Sequence, residues 1–175
     1  MASARIHPGE TCGSHMMNGF LKFICSNDEE AQNLRKLVVF KVIPMLNPDG
    51  VVVGNFRTSL SGKDLNRQFR TSADFLIPEV KALKQLVIKL KTEFKSRLMF
   101  FLDFHGHSVK KNVFLYGPEY EIWETNYYKT RIFPKIMASK TEIFRYYSCL
   151  FRIADFKRTT ARAVLLNTIP HCYTI

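Results

Sequence analysis

The 175-residue chain lacks the features that mark secreted, disulfide-stabilised and membrane-spanning proteins. Its four cysteines form no CxxC pair and no disulfide framework, which favours reduced thiols. The first residues contain no apolar signal region, and apolar runs such as 98–102 are far too short to span a bilayer. These absences predict a soluble protein that is located in the cytoplasm and has no membrane partner.

Acidic residues are also scarce: 15 Asp and Glu stand against 26 Lys and Arg, a formal net charge of +11. A positive field of this size favours an acidic partner, such as an acidic polypeptide, a nucleic acid or an anionic surface. A solvated basic face without a partner is the alternative. Nucleic acid is the weaker candidate, because the aromatic residues lie mostly in apolar strands and helix faces rather than among basic residues.

The composition, with 46% hydrophobic and 23% charged residues, predicts one folded domain with a sizeable core. Its apolar segments alternate with amphipathic ones, which indicates an α/β fold with a mixed, mostly parallel sheet flanked by helices. Helices are expected over 11–25, from residue 78 and in part over 119–140, where Pro134 interrupts. Strands are expected over 3–6, 37–43, 97–104, 112–116, 144–153, 163–167 and 172–175.

Two histidine-containing segments are candidates for a metal site. His7 and Glu10 lie in a turn after a strand, where both can point at one ion, and zinc accepts imidazole nitrogen and carboxylate oxygen. His105 and His107 follow a buried strand, and either could supply a third ligand. Taken singly, each pattern also fits ordinary surface residues. Together, two histidines and one glutamate would leave zinc an open position for water, as in catalytic sites.

A polar segment between the two histidine-containing segments is a candidate for carboxylate recognition. It contains Arg57, Asp64, Asn66 and Arg67. Arginine offers a planar fork of donors that matches a carboxylate, and asparagine adds a further donor. A polar loop on any basic protein would look similar. Combined with a zinc site, however, the segment describes an exopeptidase that acts at a C-terminus.

Five segments in a fixed order resemble the zinc carboxypeptidases, and specifically the cytosolic carboxypeptidase subfamily. They are 4–11 (ARIHPGET), 44–51 (PMLNPDGV), 59–68 (SLSGKDLNRQ), 103–108 (DFHGHS) and 110–117 (KKNVFLYG). The resemblance implies a zinc carboxypeptidase-like fold and one Zn²⁺ ion. It implies that His7, Glu10 and His105 bind the ion, that His107 packs or hydrogen-bonds nearby, and that Asp64 orients the first histidine.

The resemblance also implies roles in substrate binding. Arg57 matches the arginine that polarises the scissile carbonyl and stabilises the oxyanion. Asn66 and Arg67 match the pair that holds the terminal carboxylate. Arg162 falls in the region that lines the specificity pocket, where a basic residue would suit a glutamate side chain, and Lys157 and Arg158 could add to the attraction. A plain basic hairpin is the alternative for this last region.

The activity implied is hydrolysis of C-terminal or side-chain glutamates from proteins such as tubulin. Acidic polypeptide tails, above all polyglutamylated tubulin, would be the partners, and the location would be cytoplasmic, with association with microtubules or cilia. The alternative is an inactive structural or microtubule-binding paralogue with the same fold.

One feature of the family is expected immediately beyond the sequence. The general-base glutamate of the family follows a Tyr-Thr-apolar segment, and here that segment is 173–175. Residues 1–175 are therefore expected to form a partial catalytic domain, truncated at both ends, without the family's N-terminal β-rich domain. A gene fragment, a short paralogue and a chain completed by a protein partner all fit this expectation.

Overall fold

A four-stranded parallel sheet forms the centre of the computed structural model, which describes residues 1–72 and 74–175. The strands are β1 (Ala2–Ala4), β2 (Val42–Ile43), β3 (Phe100–Phe104) and β4 (His171–Thr174), and their spatial order is β2-β1-β3-β4. One antiparallel bridge, between Tyr116 and Thr174, makes the pairing mixed. The α/β expectation is thereby confirmed, and the carboxyl ends of β1 and β3 lie side by side.

Within residues 1–72 and 74–175, six α-helices surround the sheet. They are α1 (Thr11–Ile24), α2 (Glu29–Leu37), α3 (Pro48–Val52), α4 (Pro78–Phe94), α5 (Thr125–Lys140) and α6 (Ala161–Leu165). The sequence marks several starts: the Asp28 carboxylate accepts from two backbone N–H groups of α2, and Asn47 caps α3 ahead of Pro48. In the described residues, no helix has both the length and the apolar character needed to cross a bilayer.

The main core lies between the sheet and α4. Val80, Leu83, Val87 and Leu90 recur every three to four residues and are buried on one face of α4, where they pack in one cluster with Phe101 of β3. The helix expected from residue 78 is thereby confirmed. The burial fixes β3 from one side and so fixes the position of its carboxyl end.

Two expected strands differ in the structure. Segment 37–43 pairs only at Val42–Ile43: Leu37 still belongs to α2, and Val39 is 68% exposed because β2 lies at the edge of the sheet rather than inside it. Segment 163–167 is mostly helix α6 instead of a strand. A short apolar run does not distinguish the two conformations, and here the helix buries Ala161 and Leu165 against the core.

Segments 112–116 and 144–153 also do not form regular strands. They run side by side in parallel and are joined by isolated bridges, Val113 to Phe144 and Tyr116 to Leu150. Helix α5 likewise departs from expectation, since it continues through Pro134 without a break. Proline there removes the N–H that would bond the Thr130 carbonyl, and the Tyr173 hydroxyl of β4 donates to that carbonyl instead, at 2.7 Å.

Candidate active site

The first half of the site is a tight turn between β1 and α1. His7 is buried, and its Nδ1 lies 2.7 Å from Oε1 of Glu10, the residue before the helix. Gly9 allows this turn, because its N–H donates to the Phe56 carbonyl at 2.7 Å and a Cβ would clash with Phe56. The Arg5 guanidinium holds the turn from the other side by donating to the Pro8 carbonyl at 2.6 Å.

The second half is the carboxyl end of β3. His105 follows the strand directly, and its Nδ1 lies 3.0 Å from Oε2 of Glu10, which also accepts from the Gly106 N–H at 2.7 Å. Parallel pairing of β1 with β3 brings the two segments together although they are 95 residues apart in sequence. One ligand atom each from His7, Glu10 and His105 lie within 4.8 Å of one another, and two nitrogens with one oxygen are a donor set that zinc accepts.

Each histidine has a second carboxylate behind it. Asp64 Oδ1 lies 3.1 Å from His7 Nε2, and Asp103 Oδ2 lies 2.8 Å from His105 Nε2. Ser3 donates its hydroxyl to the other Asp103 oxygen at 2.7 Å. Carboxylates that accept from Nε2–H leave both Nδ1 atoms free to bind a metal, the arrangement found around metal-bound histidines. These residues fit a zinc ion.

The electrostatics of the metal-free site follow from this pairing. Burial alone would raise the pKa of Glu10, but hydrogen bonds from His105 and His7 hold it well below its usual range. Burial would lower the pKa of His105, yet Asp103 and Glu10 outweigh it and raise that pKa to about 10. For Asp64, burial is opposed by His7 and Arg57, and the pKa falls to about 2. The carboxylates are therefore charged across the physiological pH range.

Asn66 connects the metal group to the rest of the chain. Asp64 caps the 3₁₀ turn Leu65–Arg67 by accepting from the Asn66 N–H at 2.9 Å. The buried Asn66 amide points its Nδ2 at His105 Nε2, 3.5 Å away, and its Oδ1 accepts from the Ala161 N–H at 2.9 Å. This amide thereby joins the turn to the start of α6.

The basic side chains gather on the same side of the site. Arg57 is half-exposed, donates to Asp64 at 2.8 Å and lies 3.9 Å from Glu10. Lys157 has a lowered pKa, because it is partly buried and lies near Arg67, Arg57 and further basic groups that include Arg162. Four basic side chains thus lie near one another, and one of them, Arg57, contacts the Asp64 carboxylate behind His7.

Arg162 is the most enclosed of these cations. It is buried, donates to the Gly117 carbonyl and lies 5.9 Å from the centroid of the Tyr116 ring. Burial lowers its pKa to about 10, still well above neutrality. Arg67 is less fixed and donates to the Asn66 carbonyl at 3.0 Å. The structure therefore brings into one neighbourhood the eight residues for which the resemblance implies a role in metal or substrate binding, and these roles stay predictions.

Three neighbours of the site carry further information. Asp103 was not identified by the sequence reasoning, although its spacing of two residues from His105 on a strand places both side chains on one face. His107 is exposed, and its Nδ1 accepts from the N–H groups of Val109 and Lys110, away from the metal group. Ile175, after β4, accepts from the His105 N–H at 2.7 Å and so lies directly beside the candidate ligand.

Comparison with known proteins gives a consistent result. The profile of the family described as zinc carboxypeptidase matches residues 1–149. Cytosolic carboxypeptidase 2 of Mus musculus is 44% identical over 164 residues, which are 93% of this chain and 19% of that protein. Cytosolic carboxypeptidase 1 of Homo sapiens is 42% identical over 179 residues, which are 95% of this chain and 14% of that protein. The chain thus spans less than a fifth of the length of these two relatives.

A solved structure with a similar fold is the metallo-carboxypeptidase from Burkholderia cenocepacia. It superposes with a TM-score of 0.84 at 23% sequence identity, over 99% of this chain and 46% of that one. At this identity the likeness concerns the fold alone. The arrangement of sheet and helices that positions the site is therefore shared with a metallo-carboxypeptidase.

Proposed function

Because the chain belongs to the zinc carboxypeptidase family, we propose that it provides the zinc-binding part of a carboxypeptidase that removes glutamates from acidic protein tails. The observation that carries the proposal is the convergence of His7, Glu10 and His105 beside a cluster of cations. The first feature fits a hydrolytic metal site, and the second fits a substrate with more than one carboxylate.

The proposed roles follow from position. His7, Glu10 and His105 would hold one zinc ion, which when bound lowers the pKa of water and polarises a carbonyl. Arg57 is half-exposed, with its Nε donating to Asp64 and its Nη1 3.9 Å from Glu10, and rotation of this side chain would turn the guanidinium toward a developing oxyanion. A glutamate directly after Ile175, as the family resemblance predicts, would adjoin His105 and serve as general base.

Substrate recognition would use the remaining cations. Asn66 and Arg67 lie on one turn and are proposed to hold the terminal carboxylate, while the buried Arg162 guanidinium would attract the glutamate side chain. Acidic tails such as those of polyglutamylated tubulin are the proposed partners, since they match both this cluster and the net charge of +11. The relatives are named cytosolic, and we propose the cytosol, including microtubules and cilia, as the location.

The test is glutamate release by the protein isolated from its native source. The substrate is a peptide with a C-terminal run of glutamates, and a matched peptide ends in lysines instead. We expect release from the first peptide only, abolished by a zinc chelator and restored by added zinc. Failure of the zinc-loaded, folded protein to release glutamate would overturn the enzyme proposal in favour of a binding protein with the same fold.

A further inference from the structure

A shallow surface groove of about 570 Å³ lies between the C-terminal half of α5 and segment 142–148. We call it the α5 groove. Two exposed cations, Lys135 and Arg145, line it together with Tyr146, Tyr147 and one carboxylate, Glu142. The cations exceed the carboxylate, and α5 itself carries four basic and no acidic residues. The groove therefore favours an anionic occupant.

An aromatic ring lies beneath one of these two cations, Lys135. The Lys135 ammonium lies 5.2 Å from the centroid of the Tyr146 ring, which packs edge-on against Tyr147 at 6.0 Å. On the same helix, the Arg131 guanidinium lies 3.6 Å from the centroid of Tyr127. A cation that rests on a ring loses little conformational freedom when it binds an anion, so the groove is preorganised for carboxylates. Since Lys135 lies over Tyr146, that ring is less available to stack on a nucleic acid base.

The groove is connected to the candidate active site through Lys110. The Lys110 ammonium donates to the Ser148 carbonyl at the end of the groove, 3.1 Å away, and lies 4.8 Å from the Phe114 ring centroid. Five residues separate Lys110 from His105, and an extended chain of that length spans at most about 18 Å. A peptide of roughly eight residues, held at the metal site by its end, is therefore long enough to reach the groove.

We propose that the α5 groove binds an acidic, extended part of the polypeptide substrate, several residues away from the bond that is cleaved. The inference rests on the proposed function, because it takes the substrate to be an acidic polypeptide that is held at the metal site. It adds a second contact that depends on tail length. Long acidic tails gain from this contact, whereas short peptides reach only the metal site.

The test compares two double charge reversals. K135E/R145E reverses the charge of the two cations that line the groove. K22E/K89E reverses the charge of two exposed lysines on α1 and α4, so both variants carry the same change in net charge. Binding of labelled peptides of about twelve and about three glutamates is measured by fluorescence anisotropy at low ionic strength, after thermal unfolding shows that both variants are folded. We expect K135E/R145E to weaken binding of the long peptide about tenfold and leave the short peptide unchanged, whereas K22E/K89E changes neither.

Three results would overturn the proposed role of the groove: an equal loss of affinity for the long peptide in both variants, an equal loss of affinity for both peptides in K135E/R145E, or no loss of affinity in K135E/R145E. If the protein binds a single-stranded DNA of similar length more tightly than the long peptide, and K135E/R145E loses that binding, the occupant of the groove would be a nucleic acid rather than a peptide. Glutamate release is measured in parallel. If neither peptide releases glutamate but K135E/R145E still weakens binding of the long peptide alone, only the enzyme proposal is overturned. If glutamate is released and K135E/R145E has the wild-type KM for the long peptide, only the proposed role of the groove is overturned.

Discussion

Asp103 and His105 lie two residues apart at the end of β3, and their side chains meet on one face of the strand, 2.8 Å apart. Asp64 stands in the same relation to His7, although it comes from a distant turn. Each imidazole is thus oriented by its own carboxylate before any metal binds. Substitution of either aspartate should therefore affect metal binding, although neither is a candidate ligand.

Replacing Asp103 by asparagine should weaken zinc binding by about 10- to 100-fold, because His105 loses the charge that fixes its tautomer and raises its basicity. Competition with a chromophoric chelator measures the change. Ser3→Ala is the control, since it removes one neutral hydrogen bond from the same carboxylate and should cost only about 1 kcal/mol of stability. Wild-type zinc affinity in D103N would contradict the orienting role.

Zinc binding at pH 7 should release about one proton from His105. Its pKa in the metal-free protein is raised to about 10, so the imidazole is protonated at pH 7, whereas zinc requires the neutral ring. Zinc affinity should therefore increase as the pH rises toward 10 and decrease as it falls. Calorimetric titrations in buffers of different ionisation enthalpy measure the released protons. His107→Ala should leave their number unchanged, and an enthalpy independent of the buffer would contradict the prediction.

Gly13→Ala should destabilise the protein by about 1–3 kcal/mol. Gly13 is in the first turn of α1, where a Cβ would lie 2.8 Å from the Phe104 carbonyl oxygen and push β3 away. The displaced residue precedes His105, so zinc affinity should fall as well. Gly19→Ala on the same helix is the matched control: its Cβ meets open space, and the better helix propensity should add about 0.5–1 kcal/mol. Chemical denaturation of both variants measures the change in unfolding free energy, which should be a decrease for Gly13→Ala and an increase for Gly19→Ala.

Tyr173→Phe should cost about 1–3 kcal/mol, because it leaves the Thr130 carbonyl of α5 buried without its hydroxyl donor. Adding Pro134→Ala restores a backbone N–H that can bond the same carbonyl within the helix. The double variant should therefore recover part of the lost unfolding free energy. If the two changes were simply additive in a double-mutant cycle, the proposed replacement of one donor by the other would be wrong.

Most residues of the candidate site could be selected from the sequence because they belong to short local patterns. His7 and Glu10 share one turn, and the cap formed by Asp64 fixes Asn66 two residues later, so spacing alone constrains their geometry. The approach of His105 to that turn depends on parallel pairing of β1 with β3, which local patterns do not determine. The family resemblance, rather than periodicity, supplied that long-range contact.

The errors arose where tertiary surroundings decide the conformation. Residues 163–167 are apolar enough for a strand, but 163–165 belong to helix α6, which buries Leu165 against the core. The β-branched segment 37–43 has the composition of a buried strand, yet it lies at an edge with Val39 68% exposed. Pro134 predicts a break in helix α5, but the Tyr173 hydroxyl, distant in sequence, donates to the Thr130 carbonyl that the proline leaves without its helical donor, and the helix continues.

The separation of the ligands along the chain has a topological consequence. A metal ion held by His7, Glu10 and His105 would close a loop of about a hundred residues, much as a disulfide does, and such a closure restricts the unfolded chain by about 4–5 kcal/mol in the entropic description. The ion would then act as a removable cross-link between the first turn and the third strand. Removing zinc should therefore accelerate hydrogen exchange throughout the segment between these two points, well beyond the residues that touch the metal.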